Sequence, residues 1–221
     1  MKIKVLQEQQ IDKLLEKLNI DFEHEVVPVK VEDYSRAKQC YANVTEKVLR
    51  DGGKIHYGWS VHFTEGIIIE AERHAVWEDD NEQLLCVTPH PSGSKDVIFL
   101  TDNLPVDPSL QIDNVRLNIT NNSLVNDWIH LSKTVGDIFY GYTDRKNDEE
   151  VIANTKILHV IQTLEEYRGL VIGLIKKGRA EKSNCFCKEG VNGKKYIHCH
   201  RKFIEAEIPE LIASLAEFKL R

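Results

Sequence analysis

Residues 54–100 read KIHYGWSVHFTEGIIIEAERHAVWEDDNEQLLCVTPHPSGSKDVIFL, and this stretch decides the fold class. It is rich in Val, Ile, Trp, Phe and Tyr, side chains that suit a pleated, half-buried surface. Four runs stand out: His56–Phe63, Gly66–Trp77, Gln83–Val87 and Asp96–Leu100. Polar or Gly/Pro-containing turns separate them, and Glu65-Gly66 and Asp79-Asp80-Asn81 have the composition of hairpin connections. The stretch therefore predicts an antiparallel meander.

Upstream, Arg36–Arg50 reads as a helix stopped by Gly52-Gly53. Glu25–Val31, with three valines around Pro28, suits an edge strand, because proline cannot donate to a ladder. Ile11, Leu14, Leu15 and Leu18 share one face of a first helix that ends at Asn19. Downstream, Pro105 and Pro108 mark a connection. Leu124, Trp128, Leu131, Val135 and Ile138 then recur at helical spacing over Leu124–Phe139. After a polar break at Asp144–Glu150, a longer helix is expected from about Glu149 to Lys177, with Ile152, Ile157, Val160, Ile161, Leu164 and Tyr167 as its buried stripe. Gly169 and Gly173 offer it a kink or close packing, and Pro209 suits the first turn of a terminal helix. The expected class is α+β: a helix packed on an antiparallel sheet, then a helical region, then a small C-terminal knuckle. The expected divisions are 1–20, 21–105, 106–180 and 181–221.

The 221-residue chain is 42% hydrophobic and 29% charged, which excludes a disordered protein or a fibre. No apolar run approaches the roughly 20 residues that span a bilayer, and the N-terminus has no signal-like apolar core, so a cytoplasmic protein is expected. Charge is unevenly placed. Between Lys176 and Lys202 nine basic residues face two acidic ones, a net of +7 that leaves −13 for the rest of a chain of net charge −6. A basic appendage on an acidic body follows.

Five cysteines make an odd count, and three of them fall in Cys185–Cys199. Without a secretory signal, such crowding points to metal ligation. Cys185, Cys187, Cys199 and His200 supply three thiolates and one imidazole, the donor set that tetrahedral structural zinc prefers. Gly190 and Gly193 let the backbone between the two ligand pairs turn back, and His198 is the alternative fourth ligand. The run of Cys185, Cys187, Gly193, Lys194, Lys195, Tyr196, Cys199 and His200 resembles the SEC-C motif, a zinc knuckle found at the C-terminus of the bacterial preprotein translocase ATPase and on many other bacterial proteins. Eleven residues separate Cys187 from Cys199, against about eight in the usual motif; the surplus precedes Gly193 and reads as a longer loop. The resemblance implies a bacterial cytoplasmic protein with a structural Zn2+ on Cys185, Cys187, Cys199 and His200. Its basic knuckle would dock to a macromolecular partner, a protein first and a nucleic acid as the alternative.

A second constellation lies in the body. Cys40 falls near the start of the Arg36–Arg50 helix, where the helix dipole lowers a thiol pKa, and His74 falls on a strand. His74-Ala75-Val76-Trp77 followed by Leu85-Cys86-Val87-Thr88-Pro89 resembles the HAW…DxTP signature of the transglutaminase-like superfamily. That resemblance implies a cysteine hydrolase or acyltransferase with Cys40 as nucleophile and His74 as base, although Cys86 stands where the family carries an orienting Asp. Asp79, Asp80 and Asp96 are the aspartates nearby in sequence that could substitute for it.

His56 and His62 share strand parity, as do Glu70, Glu72 and His74. Such sets more often form a solvated strand face than a metal site. The three tryptophans read as core or rim residues, and Phe186 suits either knuckle packing or partner contact.

Overall fold

The computed structural model describes residues 5–90, 92–102, 112–142, 144–146, 149–151 and 154–218. The protein is α+β, and it divides into two compact units, Met1–Ile119 and Thr120–Arg221. Among the described residues no helix is long and apolar enough to cross a membrane.

The first unit contains α1 (Val5–Leu18), β1 (His24–Pro28), α2 (Cys40–Asp51), β2 (Lys54–Thr64), β3 (Ile68–Glu78), β4 (Leu84–Leu85), β5 (Asp96–Thr101) and β6 (Val115–Asn118). Its antiparallel sheet runs β1-β5-β2-β3-β4, with β6 paired to the outer side of β3. The long β2–β3 hairpin is in unbroken register from Lys54↔Glu78 to Thr64↔Ile68. Pro28 closes β1 at one end of the strand order, as an edge proline should. Beyond it the two ends of the sheet meet: the Pro28 carbonyl accepts from the Cys86 amide at 2.9 Å, and the Lys30 amide donates to the Cys86 carbonyl at 2.9 Å.

Strand alternation divides the core between two faces. On one, Ile11 and Leu14 of α1 pack on Trp59, Val61, Ile69, Ala71, Ile98 and Leu100. Both α1 residues are fully buried, each worth roughly 1.5–3 kcal/mol relative to exposure. Val44 of α2 packs on the same face, against Ala75 and Val87 with Tyr57 and Trp77 alongside. The opposite face carries Val27, Val76, Cys86, Val97 and Phe99.

Helix α2 begins at Cys40 rather than Arg36. Lys38 has φ +63°, which no helix admits, and the buried Asn43 side chain takes the Arg36 amide (2.9 Å) and donates to the Arg36 carbonyl (2.7 Å). The segment is thus held as a loop. At the other end Gly52 and Gly53 both have positive φ, and a Cβ on Gly53 would collide with the Glu78 carbonyl and the Trp77 indole.

The second unit holds α3 (Ser123–Tyr142), a short hairpin β7 (Asp144–Lys146) and β8 (Glu149–Val151), α4 (Thr155–Lys176), a single turn α5 (Lys188–Val191) and α6 (His200–Ala213). Helix α4 starts at Thr155, not Glu149, because the Asn154 side chain caps it by accepting the Lys156 amide at 2.9 Å. Ile157, Val160 and Leu164 of the expected stripe are buried. Ile152, like Pro105 and Pro108, lies outside the described residues. A Cβ on Gly169 or Gly173 would meet open space, and α4 runs through both, so neither serves close packing. Pro209 lies in the third turn of α6 rather than at its start, since the helix already begins at His200 and buries Ile204 and Ile208.

Candidate metal centre

Backbone pairing shapes the knuckle. The Cys185 amide donates to the Lys194 carbonyl at 2.9 Å, Asn184 and Lys195 form an antiparallel bridge, and the Tyr196 amide donates to the Ser183 carbonyl at 3.0 Å. These contacts fold the second ligand pair back over the first. The surplus residues ahead of Gly193 coil as α5, with the Gly190 amide donating to the Cys187 carbonyl at 2.9 Å. Gly190 is required there, because a Cβ would overlap the Cys185 backbone, lying 2.8 Å from its Cα and closer to its carbonyl. A 3-10 turn over Tyr196–His198 then delivers Cys199, and α6 opens on His200.

Cys185, Cys187, Cys199 and His200 each present one ligand atom within 4.8 Å of all the others, so the group could hold a metal ion. Cys187 Sγ and Cys199 Sγ are 3.6 Å apart, Cys199 Sγ and His200 Nδ1 3.4 Å, and Cys185 Sγ and His200 Nδ1 2.8 Å. A tetrahedral ion with metal–sulfur near 2.3 Å and metal–nitrogen near 2.0 Å has edges of about 3.8 and 3.5 Å. The first two separations are close to those edges. All five cysteines are free thiols, and His198 is exposed, outside the group.

The electrostatics suit cation capture. Burial opposes ionisation of Cys187, but the Gly190 and Glu189 amides and the neighbouring Cys199 and Cys185 thiols outweigh it and hold its pKa low. Cys199 is pushed up, by burial first, then by its hydrogen bonds to Cys187 and Cys185 and by the charge of those sulfurs. Burial, with the Lys194 charge, lowers the His200 pKa and keeps its imidazole neutral.

Aromatic rings wall the site. Phe186 packs on the His200 ring with centroids 4.1 Å apart, so it serves the knuckle itself. Tyr167 of α4 stacks on Phe203 at 4.4 Å and lies 5.4 Å from His200. Next to His200, Arg201 takes Asp127 of α3 in bidentate fashion (3.0 and 3.2 Å) and Glu181 at 2.8 Å. Ser123 donates to the same Glu181 carboxylate.

The second constellation is arranged differently. His74 Nε2 faces Cys86 Sγ at 3.3 Å, and its ring lies edge-on to Phe99. That is the sheet face opposite the α2 core. Among the described residues no hydrogen bond joins Cys40 to His74. The dipole expectation for Cys40 is reversed: burial drives its thiol up to about 11, against the opposing Ala75 and Tyr41 amides. Burial drives His74 down to about 4, with the His62 and His90 charges acting in the same direction.

Several titratable groups on that face are paired with one another. His56 bonds Glu78 (2.6 Å) and Thr101 (3.0 Å), and Arg116 pairs with Glu70. His62 lies 3.3 Å from Glu72 and 3.2 Å from His90. Sequence reading missed His90, which sits in the proline-flanked run TPHP and belongs to no periodic pattern. No family model matches the chain, nor does any curated protein or solved structure.

Proposed function

We propose that the chain is a zinc-binding protein whose SEC-C-like knuckle, built on Cys185, Cys187, Cys199 and His200, docks it to an acidic surface of a partner protein. The convergence of three sulfurs and one imidazole nitrogen within 4.8 Å carries this reading. A soft, sulfur-rich set favours zinc over magnesium or calcium. Four protein ligands leave no open coordination position, so the ion's role would be to fix the knuckle rather than to do chemistry. The cytoplasm suits such a site, since thiols stay reduced there.

The docking role is supported by charge. Lys176, Lys177, Arg179, Lys182, Lys194, Lys195 and Lys202 are exposed in and around the knuckle, whereas Arg201 is engaged by Asp127 and Glu181. A protein partner is favoured over a single-stranded nucleic acid because Phe186 is turned onto His200 and offers no free stacking platform. Two experiments test the reading. Metal analysis of protein purified without chelators is expected to give one zinc per chain, lost in Cys199→Ser; below half an equivalent the zinc assignment fails. Photo-crosslinking in cells from a probe placed at Val191, which is 87% exposed, is expected to trap a partner. That product is expected to disappear when Lys194, Lys195 and Lys202 are changed to Glu, and its persistence rejects charge-driven docking.

A further inference from the structure

A second pair of nitrogens converges in the first unit. His62 Nδ1 and His90 Nε2 stand 3.2 Å apart, with ring centroids 5.0 Å apart. A straight N–H···N bond of that length would put the centroids at about 5.5 Å, so the rings do not both lie along the line joining the nitrogens. The separation suits two imidazoles on one ion: at about 2.0–2.1 Å from each nitrogen, an ion spans about 3.3 Å at the tetrahedral angle and about 2.9 Å at the octahedral one.

Each far nitrogen has a polar neighbour. His62 Nε2 is buried 3.3 Å from a Glu72 carboxylate oxygen without hydrogen-bond geometry, and His90 Nδ1 lies 2.7 Å from Ser92 Oγ and 3.4 Å from the Ser92 amide. A carboxylate and a hydroxyl are the kind of neighbours that metal-bound imidazoles have at their second nitrogen. The site is open to solvent, with the His62 side chain 26% and Glu72 51% exposed. Neighbouring candidates on the face are engaged elsewhere: His56 by Glu78, Glu70 by Arg116, and His74 by Cys86.

We propose that His62 Nδ1 and His90 Nε2 together bind a divalent transition ion of the Ni2+, Cu2+ or Zn2+ type, with Glu72 and Ser92 orienting the two rings. Two protein ligands leave the remaining positions to water or to donor groups of a small molecule. The site is therefore of the open kind, unlike the closed knuckle. Imidazole donors select this group of ions over magnesium and calcium.

Ni2+ titrated calorimetrically into the full chain, its zinc content measured before and after, tests the proposal. The expected result is one Ni2+ per chain with no zinc released, at least tenfold weaker in His62→Ala and in His90→Gln, and unchanged in His56→Ala. His90 lies outside the strands, so its variant retains the fold and decides the matter if His62→Ala does not. Cys199→Ser is expected to keep the Ni2+ equivalent, which separates this site from the knuckle. No saturable Ni2+ uptake, or equal uptake by His90→Gln, would leave the pair as a hydrogen-bonded chain and overturn the proposal.

Discussion

Gly190 lies against the backbone of Cys185, with no room for a Cβ between them. The contact fixes how far α5 sits from the first ligand, and so how the two ligand pairs meet. Gly190→Ala is therefore expected to weaken metal binding at least tenfold in competition with a chromophoric chelator, while the first unit melts unchanged. Wild-type affinity in that variant would mean that the knuckle tolerates a displaced Cys185.

Metal affinity is expected to rise with pH. Cysteine binds a metal as the thiolate, so on this proposal protons compete with the ion. Cys187 is lowered from its ordinary value, but Cys199 is raised to about 12 by burial and by its sulfur neighbours, so its proton must be displaced at neutral pH. His200 is held low and does not add to the competition near pH 7. Chelator competition at pH 6.5, 7.5 and 8.5 should show affinity climbing about tenfold or more per unit. A flat profile would remove thiolate ligation from the account.

Arg201 ties the start of α6 to α3 through Asp127 and to the segment after α4 through Glu181. Its side chain is 15% exposed and that of Asp127 14%, so solvent screens the pair only in part. Arg201→Met leaves the Asp127 carboxylate without its cation and is expected to cost about 2 kcal/mol in urea unfolding of the second unit. A loss below about 0.5 kcal/mol would mean the network behaves as a surface ion pair.

Cys40 is expected to be a slow thiol. With its pKa raised to about 11 by burial, little thiolate exists at pH 7. Alkylation by iodoacetamide at pH 7, followed by peptide mass spectrometry, should label Cys40 at less than one tenth the rate of a model thiol until denaturant is added. Faster labelling would restore it as a nucleophile.

The hairpin of β2 and β3 and strand β5 were legible in the sequence because alternation, β-branched content and turn residues all agree there. Strand β6 was not, since Val115–Asn118 is too short to show a period and exists by pairing with β3. The start of α2 was hidden by a side chain: Asn43 holds Arg36 from seven residues away. Pro209 misled because the packing of Ile204 and Ile208 carries α6 through a residue that usually starts or breaks a helix. The Cys185, Cys187, Cys199 and His200 cluster was legible because its members lie within sixteen consecutive residues. His62 and His90 are 28 apart, and only the folded turn after β4 brings them together.

X-ray absorption at the zinc edge of the purified protein reads the ligand set itself. A first shell of three sulfurs near 2.3 Å and one nitrogen near 2.0 Å is expected, at one zinc per chain, collapsing in Cys199→Ser. A shell of nitrogen and oxygen alone, or no zinc in freshly purified protein, would contradict it.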